Sequence, residues 1–220
     1  MTELINIFFL VVAALFPIVN PLGNVPIVIR LTQRCTPEIR HALARRIAVG
    51  GFLLLLGSVL LGSHILVFFG ITLPVVRVAG GLVVTVMGWR LLNQGDNPIE
   101  NQAAGTVQDA SILDQSFYPM TMPLTVGPGS IATSIALGSQ RPIVLADFSH
   151  FVLQAGAAIV GLMAIAVSIY LSYRFAERIE RMLGRTGTNV LMRLSAFILV
   201  CIGMQIIWNG ISSLLNIQQG

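Results

Sequence analysis

Asn20, Pro21, Gly23 and Asn24 stand in one short segment of this chain, and Thr121, Thr125, Gly127, Gly129 and Ser130 stand in another. These residues are the best equipped in the sequence to bind something. The first segment reads FPIVNPLGNVP over 16–26, the second YPMTMPLTVGPG over 118–129. Laid over each other without gaps, they share the aromatic, three prolines and the leucine. Each proline removes a helical donor and clashes with the carbonyl four residues earlier. By that rule the carbonyls of Ala13, Pro17 and Leu22 lose helical partners, as do those of Gln115, Pro119 and Leu124. A helix that restarts after such a break presents unpaired N–H groups and the positive end of its dipole, which suit an anion or a carboxylate. Gly127 and Gly129 permit close backbone approach. The amides and hydroxyls nearby add uncharged donors and acceptors. The chemistry expected is capture of a small polar or zwitterionic solute without a full buried charge. The bland alternative is a pair of kinks that let helices cross, with Asn and Thr bonding to the freed carbonyls.

What surrounds these segments is apolar. The 220 residues are 55% hydrophobic and 10% charged, with mean hydropathy +0.84. Soluble domains carry about a quarter charged residues, so this composition is that of an integral membrane protein. A span needs roughly 20 largely apolar residues. The uncharged windows 4–29, 47–76, 115–140, 148–173 and 194–220 qualify. A sixth, 78–89, lies between Arg77 and Arg90, which can snorkel towards opposite interfaces. The fold expected is an all-α membrane protein of six transmembrane helices.

Charge sets the orientation. All 13 basic residues are arginine. Arg30, Arg34, Arg40, Arg45 and Arg46 precede the second span, and Arg174, Arg178, Arg181, Arg185 and Arg193 precede the sixth. The positive-inside rule puts both groups in the cytoplasm and both termini outside. The net charge of +4 therefore follows the membrane and is no sign of nucleic-acid binding. Anionic lipid is a secondary partner for these arginines. The first window carries Glu3, no basic residue and no small-residue cleavage pattern, so a retained helix is expected, not a secretory signal. Cys35 and Cys201 read as reduced and unpaired. Thr36-Pro37-Glu38 is a helix-start signal, and that helix is expected to run through Arg45 and Arg46 into the second span.

Three spans in each half make an odd number, so homologous halves must insert with opposite orientation. The expected organisation is a three-helix repeat over 1–95, a cytoplasmic linker over 96–116 and a second three-helix repeat over 117–220. The first helix of each repeat is broken by its Pro/Gly motif. A fainter match supports the repeat: Arg77 precedes Asn93 by sixteen residues, as Arg193 precedes Asn209.

Other constellations are weaker. His64 late in one span, with Asp147 and His150 early in another, have the chemistry of an ion site or a proton relay; interfacial polar residues are the simpler reading. Arg77 and Arg193 are charges at helix ends that can hold an anionic group or snorkel. No catalytic residue, metal site or cofactor is expected. There is no lysine, which excludes a Walker A loop or a Schiff-base site. Ser63-His64 and Ser149-His150 are sequence neighbours, not a spaced nucleophile and base.

The segments NPLGNVP (20–26) and MPLTVGPGSIA (122–132) resemble the two signature motifs of the MarC family of bacterial integral membrane proteins. The run Arg77-Val78-Ala79-Gly80-Gly81 and the stretch 193–203 are similar to that family's third and sixth helices. One departure is Ser195-Ala196 after Arg193-Leu194, where a glycine is expected. The resemblance covers nearly the whole chain. It implies a six-helix protein of the bacterial cytoplasmic membrane, grouped with lysine-exporter-type transporters, and it implies no substrate. The function expected is a secondary transporter, an exporter, of a small polar solute or ion. The alternative is a non-transporting scaffold, or a stress- or resistance-associated protein, that acts through cytoplasmic partners. Partners expected are the lipid bilayer, the solute and, as an open option, further copies in a homo-oligomer.

Overall fold

The computed structural model describes residues 2–32, 35–93, 113–139 and 148–217, with backbone alone at 2, 3, 148–152, 185, 216 and 217. The regular elements are all helical: α1 (Thr2–Val19), α2 (Val25–Leu31), α3 (Pro37–Phe68), α4 (Leu73–Asn93), α5 (Pro128–Ser139), α6 (Phe148–Arg174) and α7 (Ala176–Ile217). Among the described residues, α3, α4, α6 and the Thr186–Leu215 part of α7 are long and apolar enough to cross a membrane. The apolar Leu4–Val19 of α1 is shorter. At 1.5 Å per residue, α1 reaches about 27 Å and α5 about 18 Å, against a hydrocarbon core of about 30 Å. Most of the linker expected over 96–116 lies outside the described residues, as does Asp147.

The helix starts follow local chemistry. Thr36 caps α3, its hydroxyl accepting from Ile39 N at 3.4 Å, with Pro37 and Glu38 in the first turn. The 32 residues of α3 extend about 48 Å, more than a bilayer core. Its first turns, which carry Arg40, Arg45 and Arg46, therefore project beyond the apolar run that begins at Ile47. The α7 helix turns at Gly184, whose φ of 65° is readily reached only by glycine. The arm before that turn packs its Ala176 and Ile179 against Val25 and Ile29 of α2.

Two interfaces organise the bundle. Leu15 of α1, Leu43, Ile47 and Leu55 of α3, and Ile165 and Ile169 of α6 form the centre of the main apolar core. On the other side, α4 and α7 pack antiparallel through glycine. A Cβ placed at Gly81 would lie 2.7 Å from Gly203 O, one at Gly88 2.9 Å from Ala196 O, and one at Gly210 2.9 Å from Pro74 O. The outward faces carry large apolar side chains such as Phe9, Leu53, Leu61, Trp89 and Phe197, as lipid contact demands.

Candidate functional site

The first motif is a helix end, a turn and a restart. Pro17 sits inside the last turn of α1, and that turn still closes, because Asn20 N donates to Phe16 O at 2.9 Å. The break falls one turn later than Pro17. Asn20 adopts φ 48°, a left-handed conformation that asparagine tolerates better than most residues. Its Oδ1 accepts from Gly23 N at 3.2 Å. A side chain on Gly23 would strike the Asn20 amide and displace it from its bond with Gly23 N. Asn24 stands at the N-cap of α2 but does not cap it. Its amide instead donates outward, to Val19 O at 3.1 Å and to Leu124 O at 3.3 Å.

The second motif is wound more widely than an α-helix, with bonds that span five residues. Residues 117–125 form a compact turn of helix with extended backbone at Tyr118 and Met122, each followed by a cis proline. Hydroxyls serve carbonyls one residue past those that proline spacing marks: Thr121 Oγ1 donates to Ser116 O at 2.6 Å and Thr125 Oγ1 to Met120 O at 2.8 Å. Val126 N donates to Thr121 O at 2.8 Å. The chain then enters α5 at Pro128, where Ser130 Oγ donates to Gly127 O at 2.8 Å.

These motifs meet. Asn24 of the first reaches the carbonyl of Leu124 in the second, one of the carbonyls that proline spacing marks as free. Thr125 Oγ1 lies 2.9 Å from the Tyr173 hydroxyl at the end of α6. Asn24, Thr121, Thr125, Ser130 and Tyr173 are all buried. The junction sits close under the arginine-rich end of the bundle. Cβ atoms at Gly50 and Gly51 of α3 would each lie 3.2 Å from it, at Thr121 and Val126. Gly50 follows Arg46 by about 6 Å of helix, and Tyr173 directly precedes Arg174.

Of the expected site residues, Asn24 and Thr125 form the junction itself. Asn20, Pro21 and Gly23 build the turn beneath it, and Thr121 abuts α3. Gly129 packs against Val84 of α4, and a Cβ at Gly127 would lie 3.3 Å from Pro123 O and 3.7 Å from Met87. The remaining candidates are elsewhere. His64 is exposed on α3; Asp147 and the side chain of His150 lie outside the described residues. Arg77 is half-buried and its Nη1 reaches Ser213 Oγ of α7 at 3.5 Å, whereas Arg193 is exposed at the other end of the α4–α7 pair. No metal-ligating cluster occurs among the described residues.

Sequence reasoning missed three participants. Tyr173 reads as the last apolar residue of a span, and only the fold brings it to the motifs. Ser134, one turn past Ser130 on the same face of α5, is fully buried and its hydroxyl has no partner. Arg40 is the third: it is buried, pairs with Glu177 of α7, and donates from Nη2 to Thr32 O at 3.0 Å. The pattern of Thr36-Pro37-Glu38 and the arginine run marks a solvated helix and gives no hint of that ion pair.

The fold and junction define a multi-pass helical integral membrane protein with a buried polar contact between two broken helices. The chain belongs to the MarC family: the model described as MarC family integral membrane protein matches residues 5–215. It is 29% identical over 202 residues to the UPF0056 membrane protein YvbG of Bacillus subtilis, covering 91% of this chain and 92% of that one. It is 30% identical over 220 residues to the UPF0056 inner membrane protein MarC of Escherichia coli, covering 98% and 99%. The protein of that name in Citrobacter koseri is 29% identical over 220 residues. No solved structure matches the chain.

Proposed function

We propose that this protein is a secondary transporter, working as an exporter, of a small polar solute or ion, with no enzymatic activity. The observation that carries this reading is the hydrogen bond from Asn24 to Leu124 O. It joins two interrupted apolar segments from different halves of the chain, the arrangement from which transporter sites are built. Both partners belong to backbone that has left regular helix, so the contact can be exchanged for a solute's own donors and acceptors. Ser134, buried without a partner one turn beyond Ser130, extends this polar surface along α5. An unpaired buried hydroxyl needs an explanation, and a solute or water on that face supplies one.

On this reading the chain is a six-helix inverted repeat, with halves over 1–95 and 117–220 joined by the linker 96–116. The antiparallel seam of α4 and α7, each the last helix of its half, supports that symmetry. The protein lies in the bacterial cytoplasmic membrane with both termini outside. The relatives named as inner membrane proteins support the location, and the arginine-rich ends of α3 and α6–α7 support the orientation. The test is an untargeted comparison of metabolites retained by cells that lack the protein, overproduce it, or overproduce an Asn24→Leu variant. A solute depleted on overproduction and restored to control levels by the variant identifies the cargo. Identical metabolite profiles across all three would overturn the transport reading.

A further inference from the structure

A second polar feature lies outside the junction, on the lipid-facing flank of the second motif. A cavity of 390 Å³ opens between α3 and the segment 116–121, lined by Arg45, Arg46, Val49, Gly50, Leu53, Ser116, Phe117 and Thr121. Its polar rim holds two guanidinium groups and two hydroxyls, and its lining contains no carboxylate, so it selects for an anion. Arg46 is held in place, with Nη1 donating to Leu113 O at 3.1 Å. A guanidinium has five N–H donors, so one such bond leaves a fork free for an oxyanion.

The cavity is amphipathic, and its order along α3 matters. Arg45 and Arg46 end the projecting, charged part of the helix. Val49 and Leu53, more than half exposed, follow at about 5 and 10 Å further along the axis. Charge therefore lies at the level where the apolar run begins, and apolar wall lies beneath it. Phe117, also more than half exposed, forms the opposite side. At ~30 Å³ per water, the space would hold about a dozen waters, more than a lone phosphate needs.

We propose that this cavity binds an anionic phospholipid, with its phosphate on the Arg45 and Arg46 forks and the start of an acyl chain along Val49, Leu53 and Phe117. Planar guanidinium pairs match phosphate oxygens in a way that a diffuse surface charge does not. A free anion would use the rim and leave the apolar wall unexplained. The site is separate from the junction but touches it through Gly50 and Thr121, which are in contact. A seated headgroup would brace the second motif. The inference does not depend on transport, because its readout is lipid binding.

The test uses the purified full-length chain in neutral detergent, offered phosphatidylglycerol and phosphatidylcholine at equal mole fraction. Native mass spectrometry counts the lipid retained. The unmodified protein is expected to retain phosphatidylglycerol about tenfold or more over phosphatidylcholine, and R45Q/R46Q to lose that preference. R178Q/R181Q, which removes the same charge from exposed positions on α7, is expected to keep it. L53W fills the apolar wall without changing charge and serves if R45Q/R46Q does not fold; it too should lose phosphatidylglycerol. Equal losses in R45Q/R46Q and R178Q/R181Q, or no headgroup preference in the unmodified protein, would overturn the proposal. So would a rise in Tm with inorganic phosphate alone, in phosphatidylcholine, that matches the rise with phosphatidylglycerol.

Discussion

Along α4 and α7 the backbones meet through glycine; around Asn24 and Thr125 they meet through side-chain hydrogen bonds. Both regions bring helical elements into close contact where lipid gives apolar surface no reason to associate. In the first, Gly81, Gly88, Gly203 and Gly210 let main chain lie against main chain. The polar side chain at its centre, Thr85, bonds Gly81 O of its own helix at 2.8 Å. In the second, the bonds run between elements: α2 to the second motif, and that motif to α6. A glycine seam has one geometry, because a backbone atom cannot turn aside. A junction of amides and hydroxyls can trade partners without changing the helices that carry it. The first kind of interface suits a fixed frame, the second a place where a solute enters.

The sharpest way to break this comparison is to put a side chain into the seam. A Cβ at Gly203 would lie 2.6 Å from Thr85 N and 2.8 Å from Gly81 O, atoms that cannot yield. Gly203→Val is expected to cost about 3 kcal/mol or more, at the upper end of overpacking effects, read as a large fall in Tm and in folded yield. A variant as stable as the parent would mean that α4 and α7 are free to separate, and the frame would be no frame.

At the junction, Asn24→Leu strands Leu124 O and Val19 O, and Thr125→Val removes one partner of Tyr173. A buried group left unpaired costs about 1–3 kcal/mol. Each variant should therefore insert normally, lose a modest amount of stability and lose transport of any identified solute. If stability falls as far as in Gly203→Val while transport per folded molecule is unchanged, the junction is another structural seam.

A smaller effect is expected at the charged clasp above the junction. Glu177→Gln leaves Arg40 buried without its acid. Breaking a fully buried pair costs about 3–5 kcal/mol, but Glu177 is 56% exposed, so solvent reduces this to about 1 kcal/mol. Chemical denaturation in detergent reads that difference. A null result would show that the charge of Glu177 adds nothing to a hydrogen bond that a neutral amide oxygen can accept from Arg40.

The smallest effect separates two glycines of one motif. A Cβ at Gly127 would lie 3.3 Å from Pro123 O, a tight contact but not a clash, so Gly127→Ala should cost about 1 kcal/mol, the low end of overpacking effects. Gly129→Ala drives into Val84 and should be clearly destabilised. Equal Tm values for the two would contradict the packing of α5 on α4.

Much of the frame is legible in the residues. Apolar runs that end at arginine mark α6, the long part of α7 and the apolar part of α3, because hydrocarbon requires uninterrupted helix; the break between α3 and α4 falls inside the uncharged window 47–76, and Arg77 lies within α4. The Thr36-Pro37-Glu38 signal places the start of α3 correctly, since a cap is a local bond. The broken segments are equally legible: proline spacing marks Leu124 O as a carbonyl without a helical partner, and the fold gives it Asn24. Gly127 and Gly129 read from sequence as points of close approach, but what lies opposite them, the Pro123 carbonyl and Val84 of α4, is set by the fold.

The sequence by itself determined that the chain crosses a membrane, where α3 starts, and which two segments depart from regular α-helix. These follow from solvation and from proline's missing donor, properties of each residue and its near neighbours. Tertiary structure alone decided that the two segments touch, that Tyr173 joins them, that Ser134 is buried without a partner, and that Arg40 finds Glu177 137 residues away. It also decided that the glycines of α4 face those of α7. Those pairings depend on how helices distant in sequence lie against one another, and no local spacing encodes that.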